Sequence, residues 1–314
     1  MSARANRVAI VGPSHVLGSD LKDRLAAAGY PGDAVELLDL DEHVGLLTEY
    51  GEEARVVLEA ADETLTRFEV VCFCGDHQTT ERFAPAAAAA GTAIDCTGSL
   101  ALEPGVDLVA PDGSPTLSGL LVVPQAGTLL LAGIGSALDL AGAACSLALP
   151  ASDFSDAGTN ELSEQAAALL NFGESPDDVF GRRLAFDVWP DATRPHGAGR
   201  RISAELERLG VTAPAIHATR GSTFHGVAAS LYLPTHSPEA VRAALAEVAT
   251  LDGHTNDNEP VDSPARVAGL DGIHAAGLRE DPAGGSWVWL TVDNHRAATA
   301  TALAAVDARL GRTA

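Results

Sequence analysis

The sequence predicts an α/β protein, a doubly wound parallel sheet followed by an α+β portion. Short apolar runs alternate with helix-periodic segments over residues 1–125. Those runs are continuous rather than alternating, as in strands buried on both faces. After Pro124 the texture changes to longer strands and amphipathic helices. Strands alternating with helices imply right-handed crossovers and a parallel sheet.

The elements follow in order. RVAIVG (7–12) is an apolar run ending in Gly, and SDLKDRLAAAG (19–29) has helical spacing and a terminating glycine. VELLDL (35–40) and EVVCFCG (69–75) are the next strands, and ERFAPAAAAAG (81–91) is an Ala-rich helix. TAIDCTG (92–98), VDLVAP (106–111) and LLVVP (120–124) supply further strands. Then TLLLAGIGSALDLAGA (128–143) reads as one helix, ACSLALP (144–150) as a strand, and NELSEQAAALLN (160–171) and RRISAELERLG (200–210) as helices. APAIHATRG (213–221) and HGVAASLYLP (225–234) read as antiparallel strands. SPEAVRAALAEVA (237–249) is a helix that Ser237 can cap, with Pro238 at its first position. Residues 251–267 form an acidic loop expected to be exposed, before the strand WVWLTVDN (287–294) and the helix RAATATALAAVDARLG (296–311).

At 314 residues the chain is long enough for two domains, and its 46% hydrophobic content is that of a globular protein. Asp and Glu outnumber Lys and Arg by 43 to 20, a net charge of −23. So negative a surface repels phosphate backbones and anionic lipid, which argues against nucleic-acid or membrane binding. MSARANRVAIVG enters a strand with no signal-peptide pattern, and no uninterrupted apolar run reaches the roughly 20 residues of a membrane span. A cytoplasmic location is the expectation. Lys22 is the single lysine, so Schiff-base chemistry has nowhere else to go. Cys72, Cys74, Cys96 and Cys145 fit no zinc or disulfide spacing and read as buried strand residues, so no metal site is expected.

GPSHVLG (12–18) lies between a strand and a helix, where a dinucleotide turn belongs. Gly12 and Gly18 have the outer spacing of such a turn, but His15 stands where backbone normally approaches phosphate and Pro13 lacks an N–H. A plain structural turn fits equally well. Asp39 and Asp41 end the second strand, where a carboxylate accepts from a ribose 2′-hydroxyl and repels a 2′-phosphate. NAD is therefore favoured over NADP if either binds, while solvated loop acids remain the other reading.

IDCTGSLALEPGVDLVAPDGS (94–114) is the most distinctive segment. Together with VAIVG, FAPAAAAAGTAIDCTG, LLVVPQAG, EQAAALLNFGESPDDVFGRRLAF and WVWLTVDNHR in the same order, it resembles the aspartate-semialdehyde dehydrogenase superfamily, most closely its Usg branch. The resemblance covers essentially the whole chain. It implies a Rossmann-type NAD(P)-binding-like domain over 1–124 and 292–314, and an α+β dimerisation domain over 125–291, hence a homodimer. Active members similarly reduce an acyl phosphate with NADP through a cysteine thioester, with a histidine as acid and base.

Carried over residue by residue, the nucleophile position falls on Ala126, after Gln125. Thr128 is a secondary alcohol with no base visible and reads as a helix-starting threonine. The arginine that grips the substrate phosphate falls on Ala101, and the carboxylate-binding arginine near His217 or Ala218, with Arg220 a displaced substitute. His225 matches the acid/base histidine if one residue has been inserted; otherwise Phe224 does, and His225 is structural. Gly12, Ser14, Gly18, Asp39, Gly75 and Asn294 are the residues a cofactor would use. The expected protein is a degenerate family member acting as a binding, scaffold or regulatory homodimer, with an unidentified protein partner such as an active paralogue also open. The alternative is an oxidoreductase with a changed substrate, for which His225, His15 and Thr128 are the candidates, since hydride transfer needs positioning and a proton donor but no sulfur.

Overall fold

A computed structural model gives the fold and describes residues 8–40, 43–111, 119–191, 197–254 and 258–312. The chain divides into two compact units, Met1–Gln125 with Ala298–Ala314, and Ala126–Ala297.

The first unit runs β1 (Val8–Val11), α1 (Val16–Ala27), β2 (Val35–Asp39), β3 (Leu47–Tyr50), β4 (Glu53–Val56), β5 (Leu58–Glu59), α2 (Asp62–Leu65), β6 (Val70–Phe73), α3 (His77–Ala90), β7 (Thr92–Asp95), β8 (Asp107–Leu108) and β9 (Leu120–Val122). Its seven-stranded sheet has the order β5-β2-β1-β6-β7-β9-β8, parallel throughout. Every residue of β1 and β6 is buried, which is why these strands read as unbroken apolar runs. The chain leaves β1 for β2 on one side and returns to β6 on the other, so the topological switch point lies between β1 and β6. The β3–β4 hairpin was not expected. Tyr50 pairs with Glu53 across a two-residue turn at Gly51, whose φ is +59°, but its strands are mostly exposed and carry no apolar periodicity.

The second unit continues with α4 (Ala126–Gly135), β10 (Ala144–Leu149), α5 (Ser155–Leu170), β11 (Val188–Pro190), α6 (Ala198–Arg208), β12 (Ala215–Gly221), β13 (Val227–Leu233), α7 (Pro238–Leu245), β14 (Ala249–Leu251), α8 (Pro264–Val267), β15 (Ile273–Glu280), β16 (Ser286–Val292) and α9 (Asn294–Leu310). Its sheet has the order β11-β12-β10-β13-β16-β15-β14. The strands β12 and β13 do run in opposite directions, but β10 lies between them, parallel to β12 and antiparallel to β13. The sheet is therefore mixed. Leu130, Leu131 and Ile134 of α4, Ile202 and Leu206 of α6, and Val241 and Leu245 of α7 pack on one face of it.

Three expectations are corrected here. The helix predicted over 128–143 ends at Gly135, because Gly133 and Gly135 weaken the helix. Ser136 then donates to the Gly133 carbonyl at 2.7 Å, and Asp139 accepts from Ala141 N at 2.9 Å in a turn. Leu138 and Leu140 remain buried, so the apolar pattern was real while its periodicity was not helical. The loop at 251–267 also holds the end of β14, a bridge from His254 to Pro260, and α8, with Val261 and Val267 buried. The strand β15 was missed, since in its outer half, Gly277–Glu280, only Leu278 packs against the core and the other three residues are exposed.

The final helix α9 begins in the second unit and continues in the first. There Arg24 donates to Thr299 at 2.8 Å, Thr299 donates to Asp20, and Tyr30 donates to Asp307 at 2.6 Å. Ser237 caps α7, accepting from Ala240 N at 3.3 Å, as the sequence predicts.

Candidate functional site

In the first unit the turn after β1 is built for close approach. Gly12 has φ +84°, and a Cβ there would lie 2.7 Å from Gly75 N, so Gly12 and Gly75 meet backbone to backbone. A Cβ on Gly18 would stand 2.0 Å from the Gly12 carbonyl oxygen, which lets α1 start directly against the turn. Ser14 is exposed on the turn. His15 is the N-cap residue of α1 but makes no capping bond; its ring leans over Gly12 and Gly75 and lies 6.1 Å from the ring of His43. Asp39, at the end of β2, is only 6% exposed; its Oδ1 accepts from Leu40 N at 2.9 Å and its Oδ2 has no partner among the described residues. Asp41 lies outside the described residues.

The corner after β9 leads through Pro124 and Gln125 into α4, whose first residue is Ala126. The Ala126 methyl packs on the second unit's core, and Gly127 fits against Ile202, 2.8 Å from where its Cβ would stand. Thr128 is fully buried and donates to Glu205 Oε2 at 2.5 Å, while Arg201 donates to Glu205 Oε1 at 2.9 Å. That hydroxyl ties α4 to α6 and meets no solvent, so Thr128 is not a substitute nucleophile.

None of the cysteines offers a reactive thiolate. All four are buried. A bond with Cys96 and then burial raise Cys72; the bond with Cys96 pulls Cys74 down, but burial and the charges of Cys72 and Asp95 outweigh it and raise Cys74. The bond with Cys72 pulls Cys96 down, but the bond with Cys74, burial and the charges of Cys74 and Asp95 hold it well up, and burial pushes Cys145 up to about 12. Thiolate chemistry needs the opposite environment.

In the second unit His225 lies beside His295, ring centroids 5.0 Å apart, and His225 Nδ1 is buried without a partner among the described residues. Burial, followed by the charge of His225, lowers the pKa of His295 against the pull of Asp293, Asp153 and Asp156. Asn294 accepts from Gly226 N at 2.7 Å and donates to Ser152 Oγ at 3.0 Å, so both ends of its amide position the loop that carries His225. Asp293 starts α9 by accepting from His295 N and Arg296 N at 2.9 and 3.0 Å.

Arg220 is not a free carboxylate-binding arginine. It is 4% exposed and donates to Pro150 O at 3.0 Å, Asp153 Oδ2 at 2.6 Å and Asp191 Oδ2 at 3.3 Å. His217 is exposed on β12 and Ala218 is buried beside it.

Two further polar hubs were not recognised in the sequence. Asp95 accepts from Thr97 N, Thr97 Oγ1, Ser99 Oγ and Leu100 N, which explains the Asp-Cys-Thr-Gly-Ser spacing after β7. Gln165 donates to Pro176 O at 2.7 Å and accepts from Leu184 N and Ala185 N at 2.7 and 3.0 Å. Glu161 takes Val179 N and Phe180 N, so one helix face holds the 172–187 segment. Among the described residues no helix is long and apolar enough to cross a membrane, and no group of three His, Cys, Asp or Glu side chains is placed to hold a metal.

No family model matches the chain. Its sequence is 21% identical over 315 residues to the aspartate-semialdehyde dehydrogenase of Rickettsia conorii, covering 92% of this chain and 93% of that protein. Aspartate-semialdehyde dehydrogenase II from Vibrio cholerae superposes with a TM-score of 0.80 at 21% identity, over 96% of this chain and 97% of that one. The Candida albicans aspartate-semialdehyde dehydrogenase structure with NADP gives 0.65 at 14% identity, over 98% and 99%. The chain has the two-domain fold of these dehydrogenases.

Proposed function

We propose that this chain is a catalytically degenerate relative of the aspartate-semialdehyde dehydrogenases, nearest their Usg branch, that works by binding, as a scaffold or regulatory homodimer. Ala126 carries the reading. It opens α4 directly after the strand-ending proline, where by resemblance the nucleophilic cysteine belongs, and a methyl group can neither attack a carbonyl nor leave one. The buried cysteines and the ion-paired Arg220 support it, because neither a second sulfur nor a second carboxylate grip is at hand. Purified protein given aspartate semialdehyde, phosphate and either NAD or NADP is expected to form no reduced cofactor above the protein-free rate. Turnover at an ordinary enzymic rate, about 10 per second, would overturn the proposal.

The first unit's residues fit a nicotinamide dinucleotide. Gly12 and Gly75 form a floor that any Cβ would fill, Gly18 brings the N-terminus of α1 up to it with Ser14 on the turn, and Asp39 keeps a buried acceptor free for a ribose hydroxyl. NAD, when bound, supplies a hydride donor or acceptor. Asp39 would repel a 2′-phosphate, so calorimetry is expected to show NADH binding at least about tenfold more tightly than NADPH. Asp39→Ala should erase most of that preference; an unchanged ratio would remove Asp39 from the site. The second reading is an NAD-dependent oxidoreductase with a changed substrate, favoured by the His225–His295 pair, which can hold and pass a proton. Failure to bind either cofactor at millimolar concentration would exclude it and leave the scaffold reading standing.

The second unit supports the homodimer. Leu147, Ala229 and Leu290 face the helices, so the alternating Ser146, Ser230, Tyr232, Trp287 and Trp289 face the other way. The Tyr232 and Trp287 rings meet there at a 38° tilt with centroids 5.0 Å apart. A flat surface of small and aromatic side chains suits self-association. Ser230→Arg, at the middle of this face, is expected to convert dimer to monomer in sedimentation; a dimer that persists rules the face out.

A further inference from the structure

We infer that residues 258–270 form a strap over the face of the second sheet turned away from its helices, that acidification releases this strap, and that the histidine buried beneath it, His274, is the trigger. Ile273 and Ala275 of β15 pack toward the helices, so His274 points to the other face. Its neighbours in that row are Thr250 of β14 and Thr291 of β16.

The row is polar, yet it is sealed. His274 is 7% exposed and Thr291 is fully buried. Nδ1 and Nε2 of His274 and Oγ1 of Thr291 all lack a hydrogen-bond partner among the described residues. Three orphaned polar atoms side by side are a standing cost to the closed arrangement, and water would relieve it. The chain closes over them from Gly253 onward. A Cβ on Gly253 would lie 3.0 Å from Thr250 Cγ2 and 3.7 Å from His274 Nδ1. Val261 N donates to the Gly253 carbonyl at 2.8 Å, and Trp289 Nε1 donates to the Asp262 carbonyl at 2.7 Å. Val261 and Val267 are buried under the strap.

The strap also braces the His225–His295 pair. A Cβ on Gly226 would lie 3.0 Å from Pro264 Cβ, and Gly269 N donates to Asp293 Oδ2 at 2.7 Å. Lifting the strap therefore loosens the loop that carries His225 and the start of α9.

The charged groups on the elements around His274 are engaged elsewhere or face solvent. After β14, Asp252 pairs with Arg242 at 3.2 Å and His254 is exposed. On the strap, Glu259 pairs with Arg266, and Asp262 is exposed. Asp271, before β15, pairs with Arg296 at 2.7 Å, and Asp293, after β16, accepts from backbone N–H groups. Burial therefore decides. It lowers the His274 pKa from its ordinary 6.5, against a smaller upward pull from the Asp271 backbone. Under the closed strap the imidazole stays neutral, and once the strap lifts it titrates as in water. The closed state is thus fully favoured above about pH 6.5 and loses ground as pH falls below that value.

The test is hydrogen exchange, read by mass spectrometry over residues 258–270 of the full chain at pH 7.5 and 5.5 and corrected for the pH dependence of exchange itself. Opening of the native strap is expected to rise severalfold at pH 5.5, with a ceiling of about tenfold set by an imidazole of ordinary pKa. Exchange around Gly226 should rise with it. His274→Val, which suits a strand and cannot titrate, is expected to keep the strap equally protected at both pH values. His274→Gln, polar but neutral, should do the same, and replaces the valine variant if tryptophan fluorescence shows that one to be unfolded. Native protection that ignores pH would overturn the inference. So would an equal loss at pH 5.5 in a folded variant, which would move the trigger to another group such as His295, whose pKa burial also lowers.

Discussion

Arg220→Ala is expected to destabilise the second unit by about 3–5 kcal/mol, the usual consequence of removing one partner from a buried ion pair. Arg220 and Asp191 are each 4% exposed, and the guanidinium joins β12 to Asp191, to Asp153 and to the Pro150 carbonyl. Without it the Asp191 carboxylate keeps a bond from Ala198 N at 3.1 Å but loses its countercharge. The Phe154 ring also loses the cation 4.9 Å from its centroid. Arg220→Lys should recover only part of the loss, because a point charge cannot reach three acceptors as a planar fork does. The chain's three tryptophans, Trp189, Trp287 and Trp289, all lie in the second unit, so denaturant unfolding followed by tryptophan fluorescence reads that unit separately. An unchanged midpoint would show that these buried ion pairs do not hold the unit together.

Gly18→Ala should be nearly as costly in the first unit, about 3 kcal/mol of overpacking. The new methyl would overlap the Gly12 carbonyl oxygen, 2.0 Å away, and press on Pro13 Cα at 2.8 Å. Relief requires α1 to move away from the turn, which opens the Gly12–Gly75 floor, so dinucleotide binding falls with stability. Hydrogen exchange over α1 and β1 should accelerate while the tryptophan transition stays in place. Native protection and undiminished NADH binding would show that the turn tolerates a side chain and is not a close-approach site.

Much of the fold was legible because burial imposes a pattern. Strands β1 and β6 are buried on both faces, so their runs had to be continuous, and α7 announced itself through Ser237 and Pro238. Among the elements missed, β3 and β4 are mostly exposed and carry no apolar periodicity, and β15 was hidden by its mostly exposed outer half. Gly133 and Gly135 marked the true end of α4 but were outweighed by the leucines around them. At the candidate site, Gly12, Gly18 and Asp39 were legible from their places beside strand ends. His295, Asp95 and Gln165 were not, since their roles depend on partners brought from elsewhere in the chain or on loop shapes that no periodicity encodes.

By itself, the sequence determined the layered α/β plan, the acidic surface and the methyl group at residue 126. These follow from composition and local pattern, and no neighbour can alter them. Only the tertiary structure decided that Arg220 is consumed by Asp153 and Asp191, that Thr128 is buried on Glu205, and that His15 lies over the Gly12–Gly75 floor. The reason is physical. A residue's type fixes the chemistry it can do, but its hydrogen-bond partners and its access to solvent are set by segments distant in sequence, and those decide whether that chemistry remains free for a ligand.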